Sequence, residues 1–322
     1  MIQHVFNKED SLAHLANSPT NRVALLLAGG DGMRLRELTC EITGAPIPKQ
    51  YCPLLHGSSL LEATLSRAQL FTSRERINVV VNEDHLHMAK KQLQVLPASN
   101  ILVQPLNRDT GPGMLFALMH LDWMHEDPIV AVFPTDHFVD DARAFIAHIL
   151  LAVDAVSHMP DKIAVLGIAP DRPETGYGYI LPAMPVGTHE KVYHVKAFTE
   201  KPSLTDARDI ISRGGVWNTF VMVFRLSRMM ELLYELVPNE CEQLFDLRWS
   251  PDRAVELYQG LNPWNFSTQI LSRIPQHLIM LEVGDVQWSD WGTRESVERT
   301  YRSLNLVPFW NMLDPASNLL QG

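Results

Sequence analysis

Short apolar segments alternate with longer helical patterns through the first half of the chain. The apolar segments are 22–28, 77–81, 100–104 and 128–133. The helical patterns between them lie at 58–72, 84–96 and 112–125. Nearly continuous apolar runs of this length are typical of strands in a parallel sheet covered on both faces. The alternation therefore predicts an α/β fold with a doubly wound, mostly parallel sheet.

The second half of the chain has a more mixed pattern. Strands are predicted at 163–168, 178–182, 192–198, 216–225 and 278–283. Helices are predicted at 142–158, 203–213 and 227–236. The segment 238–263 carries several prolines, so we expect irregular structure there.

The same pattern predicts three parts of unequal size. Residues 1–20 have the pattern of a short amphipathic helix and form an N-terminal extension, and residues 21–295 form the main domain. Residues 296–322 form a short C-terminal tail, since no hexapeptide β-helix repeat follows residue 290. The apolar end of this tail is expected to dock on the body of the protein or on a partner subunit.

Composition narrows the function classes. The chain has 322 residues, is 46% hydrophobic and 20% charged, and has no apolar run near the roughly 20 residues that cross a bilayer. Its net charge of −10 argues against nucleic acid and membrane surfaces as partners but leaves room for a small anionic ligand. Cys40, Cys52 and Cys241 have no metal-ligand spacing and predict reduced thiols in a cytoplasmic protein.

A glycine-rich segment follows the first predicted strand. It reads LAGGDGMRL (27–35), and PKQ follows at 48–50. Glycine lets backbone N–H groups approach an anion closely because no Cβ intervenes. The dinucleotide and kinase patterns need a third glycine where Leu35 stands, and the Walker pattern needs a Gly-Lys-Ser/Thr that is missing. Arg34 offers a planar fork and Lys49 a compact charge for phosphate oxygens, although either residue alone could be a solvated loop side chain.

The two segments together resemble the signature of sugar-phosphate nucleotidyltransferases, most closely the bacterial mannose-1-phosphate guanylyltransferases. The resemblance extends from about residue 22 to 295. Six further segments match family blocks in the same order: QPLNRDTGPG (104–113), FPTDHFV (133–139), ETGYGYI (174–180), FTEKP (198–202), VWNTFVMVFR (216–225) and WSDWGT (288–293).

This resemblance implies a Rossmann-like, GT-A-like nucleotidyltransferase domain with a mixed sugar-binding half. It implies transfer of a nucleotidyl group from a nucleoside triphosphate to a sugar 1-phosphate, most closely GTP and mannose 1-phosphate giving GDP-mannose. Pyrophosphate is released and Mg²⁺ is the cofactor. A homodimer is left open.

The resemblance also implies roles for individual residues. Arg34, Lys49, Asp136 and Lys201 are the expected catalytic residues, and Asp136 and Asp290 the expected metal ligands. Expected nucleotide-binding residues are Ala28, Gly29, Gly30, Gly32, Gln104, Asp109 and Thr110. Expected sugar-phosphate-binding residues are Gly176, Gly178, Glu200, Lys201 and Asn218. A carboxylate accepts hydrogen bonds from sugar hydroxyls and an ammonium pairs with phosphate, so these roles suit the residue types. His137 is expected to be structural.

Several positions depart from the family pattern. Gln104 stands where guanylyl-transferring relatives often carry glutamate, which keeps a uridylyl- or thymidylyltransferase acting on glucose 1-phosphate as an alternative. Gly111 and Gly113 replace alanines and predict a looser start of the following helix. Thr219-Phe220 replaces Ser-Gly, which could narrow the sugar pocket, and an expected acidic residue near 267 is missing. A catalytically silent relative that binds a nucleotide or nucleotide sugar is the remaining alternative.

Overall fold

A computed structural model describes residues 21–187, 191–245 and 253–312. The predicted N-terminal helix lies outside these residues, as does the end of the predicted tail. No helix of the described ranges combines the length and the apolar character that a membrane span requires.

Nine strands form one twisted sheet, and a separate pair of short strands lies beside it. The strands are β1 (Arg22–Ala28), β2 (Ile77–Asn82), β3 (Ile101–Gln104), β4 (Ile129–Pro134), β5 (Phe138–Val139), β6 (Ile163–Ile168), β7 (Gly178–Pro185), β8 (Val192–Glu200), β9 (Val216–Arg225), β10 (Leu278–Val283) and β11 (Trp288–Ser289). The order in the large sheet is β3-β2-β1-β4-β9-β6-β10-β8-β7.

The first four strands of that order are parallel, as the sequence predicts. Strand β9 runs antiparallel to both of its neighbours, β4 and β6, and the sheet is mixed from there on. The predicted division into a parallel half and a mixed half is therefore confirmed. All nine strands predicted from the apolar runs are present.

Helices cover both faces of the sheet. They are α1 (Arg36–Thr43), α2 (Leu60–Phe71), α3 (Leu86–Gln92), α4 (Thr110–Met124), α5 (Ala142–His158), α6 (Leu204–Ser212), α7 (Leu226–Leu236), α8 (Pro238–Phe245), α9 (Ala254–Gly260), α10 (Phe266–Gln269) and α11 (Arg294–Ser303). The expectation of irregular structure over 238–263 was wrong, because α8 and α9 lie in this segment. Pro238 is the first residue of α8, a position where proline costs no hydrogen bond.

A small apolar cluster joins distant parts of the chain beneath the sheet edge. It contains Leu35 and Leu38 from the start of the chain and Trp291, Tyr301 and Trp310 from its end. Trp310 is 1% exposed, so the described part of the predicted tail docks on the body of the protein. The predicted boundary between 295 and 296 falls inside α11.

Strand pairing brings the expected site residues to one edge of the sheet. The carboxyl ends of β1 and β4 are adjacent, with Leu27 opposite Pro134. The loop after β4 then leads into β5, which pairs with β11 through Phe138 and Ser289. Because this short pairing follows Asp136 and precedes Asp290, it holds the two aspartates near each other.

Candidate active site

A cleft of about 270 Å³ opens at the carboxyl ends of β1 and β4, and we call it the main cleft. Its walls come from loops and strands spread over most of the chain. They include Gly30, Gly32, Arg34, Asp136, His137, Gly176, Tyr177, Gly178, Glu200, Lys201, Asn218, Phe220, Asn265, Ser267, Trp288 and Asp290. Most of the residues that the sequence assigns to catalysis, metal and sugar therefore face one cavity.

A second pocket of about 160 Å³ adjoins the main cleft, and Leu27, Gly30 and Thr110 line both. It is also lined by Gly29, Gln104, Asp109 and Gly113. Five of the residues predicted to bind the nucleotide thus meet in this pocket. Of the other two, Gly32 lines the main cleft and Ala28 is fully buried in β1.

Gln104 lies at the base of this second pocket. It is 3% exposed, and its Oε1 has no hydrogen-bond partner among the described residues. A Cβ added to Gly29 would lie 2.6 Å from Gln104 Nε2, and one added to Gly113 would lie 2.7 Å from Oε1. The two glycines therefore make room for the carboxamide, and its unpaired oxygen can accept a hydrogen bond from a ligand.

The expected loosening at the start of α4 is not observed. A Cβ at Gly111 would lie 2.1 Å from the ring of Trp264, and the Gly111 N–H donates to the Trp264 carbonyl over 2.9 Å. Glycine at position 111 therefore lets the Trp264 ring pack directly against the backbone, and Gly113 does the same for the Gln104 side chain.

The glycine loop is held from below by the PKQ segment. Gln50 Nε2 donates to the carbonyl oxygens of Gly30 at 2.6 Å and Ala28 at 3.2 Å. The Tyr51 hydroxyl also donates to the Ala28 carbonyl, at 2.9 Å. Sequence reasoning assigned no role to Gln50 or Tyr51. The signal was that Gln50 belongs to the quoted PKQ segment, which Tyr51 follows directly.

Lys49 lies beneath the two aspartates rather than on the cleft wall. Its side chain is 6% exposed, and its Nζ lies 3.2 Å from Asp136 Oδ2. The same ammonium donates to the backbone carbonyls of Asp290 at 2.5 Å and Trp291 at 3.1 Å. Lys49 thus links the loop after β4 to the segment after β11.

The Asp136 carboxylate is charged and partly accessible. Burial disfavours the charge, but the Lys49 ammonium and then His137 outweigh it and hold the pKa of Asp136 below its ordinary value. Asp136 is 40% exposed and His137 Nε2 lies 3.5 Å from its Oδ1. Burial lowers the pKa of His137 itself, and the charge of Asp136 opposes this shift.

Asp290 is held in a fixed orientation opposite. Its Oδ1 accepts hydrogen bonds from the Tyr177 hydroxyl at 2.7 Å and the Gly292 N–H at 2.8 Å. Its Oδ2 lies 3.6 Å from Arg34 Nη2. Tyr177 was not predicted, although it lies between the quoted Gly176 and Gly178.

The pair of aspartates has the chemistry of a divalent cation site. Among the described residues no group of three or more His, Cys, Asp or Glu side chains could hold a metal ion. Mg²⁺ commonly takes one or two protein carboxylates and completes its shell with water and substrate phosphates. Two carboxylates on the wall of one open cleft fit this pattern.

Arg34 provides the exposed cation of the main cleft. Its side chain is 61% exposed, and its guanidinium lies close over Gly292, where a Cβ would approach Nη1 to 2.8 Å. Glycine at 292 therefore lets the guanidinium lie beside Asp290. An exposed, planar cation in this position can bind phosphate oxygens with two hydrogen bonds.

The other end of the main cleft is formed by β7, β8 and β9. Glu200 is 13% exposed and lies 3.7 Å from Lys201 Nζ, whose side chain is 59% exposed. Burial raises the pKa of Glu200, and Lys201 opposes this shift. A Cβ at Gly178 would lie 2.7 Å from Glu200 Oε2, so glycine leaves that oxygen accessible. Asn218 is 7% exposed beside them.

Several non-glycine residues around the two cavities have positive φ. These are Asp109 (70°), Lys201 (46°), Phe220 (57°) and Trp291 (45°). Such conformations cost free energy and often occur at functional sites. Phe220 stands where the family pattern has glycine, the residue that adopts a positive φ without strain. The Phe220 side chain lines the sugar-facing wall of the main cleft. Ser267 also lines this wall and was not predicted.

Comparison with known proteins agrees with the sequence pattern. The family model described as nucleotidyl transferase matches residues 23–304. The chain is 37% identical over 228 residues to the xanthan biosynthesis protein XanB of Xanthomonas campestris pv. campestris, covering 69% of this chain and 46% of that protein. It is 32% identical over 292 residues to mannose-1-phosphate guanylyltransferase 2 of Escherichia coli O157:H7, covering 85% and 59%.

Among solved structures, the mannose-1-phosphate geranyltransferase of Thermus thermophilus superposes with a TM-score of 0.77 at 29% identity. This match covers 88% of this chain and 79% of that one. The chain spans about half the length of the curated relatives it matches.

Proposed function

Because the chain belongs to the nucleotidyl transferase family, we propose that it condenses a sugar 1-phosphate with a nucleoside triphosphate to give a nucleotide sugar and pyrophosphate. The proposed pair is mannose 1-phosphate and GTP, with GDP-mannose as the product. The similarity to the Escherichia coli guanylyltransferase supports this choice. The observation that carries the proposal is the main cleft, in which Arg34, Asp136 and Lys201 line the same cavity as Asp290.

The reaction joins two polyanions, so the protein must supply cations and geometry. An oxygen of the sugar phosphate attacks the α-phosphorus, and the bond from that phosphorus to the bridging oxygen breaks. Pyrophosphate leaves with the electron pair. In our proposal Arg34 binds the triphosphate and the departing pyrophosphate, while the backbone N–H groups of Gly29, Gly30 and Gly32 approach the phosphates.

We propose that Asp136 and Asp290 hold Mg²⁺, which would neutralise charge on the α-phosphate when bound. Lys49 orients these two residues by contacting the Asp136 carboxylate and the Asp290 carbonyl. The sequence led us to expect a direct contact between Lys49 and the triphosphate. We keep that contact as part of the proposal, in addition to the contacts with Asp136 and Asp290.

At the sugar end, we propose that Glu200 and Asn218 bind the sugar hydroxyls and that Lys201 binds the sugar phosphate. Gly176 and Gly178 let the backbone approach the ring. Glu200 accepts best when ionised, and Lys201 favours that state by its charge.

One observation favours a second candidate. The Gln104 carboxamide, with its unpaired Oε1, complements a base edge that presents an N–H donor beside a carbonyl acceptor. Uracil and thymine present such an edge, whereas the N1–H and N2–H donors of guanine suit a carboxylate better. A uridylyl- or thymidylyltransferase acting on glucose 1-phosphate is therefore the alternative.

Pyrophosphate release with each sugar phosphate and each nucleoside triphosphate tests the proposal. We expect release with mannose 1-phosphate and GTP. Release with UTP or dTTP in place of GTP would overturn the choice of base. A lack of release with every pair would favour a catalytically silent relative that binds nucleotides or nucleotide sugars.

A cytoplasmic location belongs to the proposal as well. It is supported by the three free cysteines, of which Cys52 and Cys241 are buried. A homodimer stays a prediction.

A further inference from the structure

Three buried nitrogen atoms behind the main cleft have no hydrogen-bond partner among the described residues. They are Arg67 Nε, His137 Nδ1 and Trp288 Nε1. Their three residues line one small cavity of about 10 Å³, walled otherwise by apolar side chains such as Phe133 and Phe145. Unpaired buried polar atoms are costly, so three of them around one cavity call for a common partner.

Arg67 makes this requirement stronger. It lies on α2, is 4% exposed, and its Nη2 donates to Thr64 Oγ1 at 2.6 Å. No described carboxylate forms an ion pair with it. A buried cation without a counter-charge is stable only when its N–H groups find acceptors.

We propose that one ordered water molecule occupies this cavity and joins the three nitrogens. Arg67 Nε–H and Trp288 Nε1–H donate to the water oxygen, and the water donates to His137 Nδ1. A cavity needs roughly 10–15 Å³ to hold one water, and buried waters typically make about three hydrogen bonds. The volume and the number of unpaired nitrogens both match.

The water fixes the tautomer of His137. If Nδ1 accepts, the ring proton lies on Nε2, which faces Asp136 Oδ1 at 3.5 Å. The Trp288 ring and the imidazole pack edge to face, with centroids 5.1 Å apart and planes at 86°. Arg67 is thus a positioning residue that acts through the water and His137 on the Asp136 carboxylate.

Two direct measurements test the water and the tautomer without any assay of activity. A high-resolution crystal structure should show one water within hydrogen-bond distance of the three nitrogens. The ¹⁵N spectrum of the histidine side chains should show unprotonated Nδ1 and protonated Nε2 for His137. Absence of the density, or a proton on Nδ1, would overturn the proposal.

A matched pair of variants tests the role of Arg67. In Arg67→Gln the amide nitrogen stands at the same bond distance from the backbone as Nε and can still donate, whereas Arg67→Met places a methyl group there. We expect Arg67→Met to lose the fixed tautomer and to weaken Mn²⁺ binding to the ligand-free protein about 10-fold, the lower end for loss of a group that orients a metal ligand. Arg67→Gln should retain both properties.

The exposed Arg208→Met serves as a control and should leave the histidine spectrum and Mn²⁺ binding unchanged. Equal behaviour of Arg67→Met and the unchanged protein would contradict the proposal. The metal readout alone rests on the proposed function. If Mn²⁺ did not bind to any variant while the water and tautomer were observed, the metal role of Asp136 would fail and the water would stand.

Discussion

Asp136 is the charged residue on which Lys49, His137 and the proposed cation converge. We predict that Asp136→Asn lowers turnover by about 10²–10³, because a neutral amide cannot balance charge that develops on the phosphates. Steady-state pyrophosphate release at saturating substrates would measure the change, and circular dichroism would show that the fold is retained.

The exposed Asp209→Asn on α6 is the control for that experiment, since it removes a surface carboxylate that does not line the main cleft. Its turnover should be unchanged. Turnover of Asp136→Asn near that of the control would mean that the metal role is assigned to the wrong residue.

Glu200 gives a prediction about pH. Its pKa is raised in the folded protein from an ordinary value of 4.5, chiefly by burial. The folded state therefore binds a proton more tightly than the unfolded chain, and this contribution to stability is lost as pH rises through the folded pKa. Relative to Glu200→Gln, the unchanged protein should lose stability as pH rises above 4.5 through the raised pKa of Glu200.

Urea denaturation of both proteins without ligand across this range would measure the difference. The prediction concerns the difference in free energy of unfolding between the two proteins, so the contributions of titrating groups that both proteins share cancel. A gap that stays constant with pH would show that Glu200 titrates normally and that its burial has no energetic effect.

At the level of single residues, the sequence predicted which side chains would meet but not how they contact one another. Asp136, Glu200 and Asn218 follow or belong to predicted strands, so their positions at one sheet edge could be inferred. The burial of Lys49 could not, because its partners are backbone carbonyls of residues far along the chain. A backbone acceptor has no sequence signature.

Among the elements, the glycine loop depends on the short segment that carries Gln50. Each of its two hydrogen bonds to the loop contributes about 1 kcal/mol. We predict that Gln50→Ala raises the KM for the nucleoside triphosphate about 10-fold, because the loop loses its fixed shape. The KM for the sugar phosphate should stay unchanged, and initial rates against each substrate would show the contrast.

The exposed Gln94→Ala should alter neither constant. An equal rise in both KM values for Gln50→Ala would mean that the segment supports the whole cleft rather than the loop.

The elements themselves were largely predictable because buried parallel strands read as apolar runs. Helices α8 and α9 were missed because proline was taken as a sign of irregular structure, although Pro238 only marks where α8 begins. The pair β5 and β11 was missed for a different reason. Two residues per strand show no periodicity, yet this pairing is what brings Asp136 and Asp290 together.

For the whole molecule, the apolar cluster beneath the cleft connects the beginning and the end of the described chain. Leu35 follows Arg34 directly, and Trp291 follows Asp290. Both are buried in the same cluster as Tyr301 and Trp310, with Phe138 stacked on Trp291 at 5.1 Å. Packing that includes residues beyond 300 therefore supports the neighbours of both the exposed cation and the second aspartate.

This connection leads to a prediction for Trp310, which is 1% exposed. Trp310→Ala should lower the free energy of unfolding by about 3–5 kcal/mol, as large-to-small changes in a core do. Because Leu35 and Trp291 belong to the same apolar cluster as Trp310, the same variant should bind the triphosphate more weakly at temperatures where it is still folded. Urea denaturation and a calorimetric titration would measure the two effects.

Val307→Ala, at a position 58% exposed, should change neither the free energy of unfolding nor the binding of the triphosphate. A Trp310→Ala protein as stable as this control would show that the segment after α11 does not stabilise the cleft.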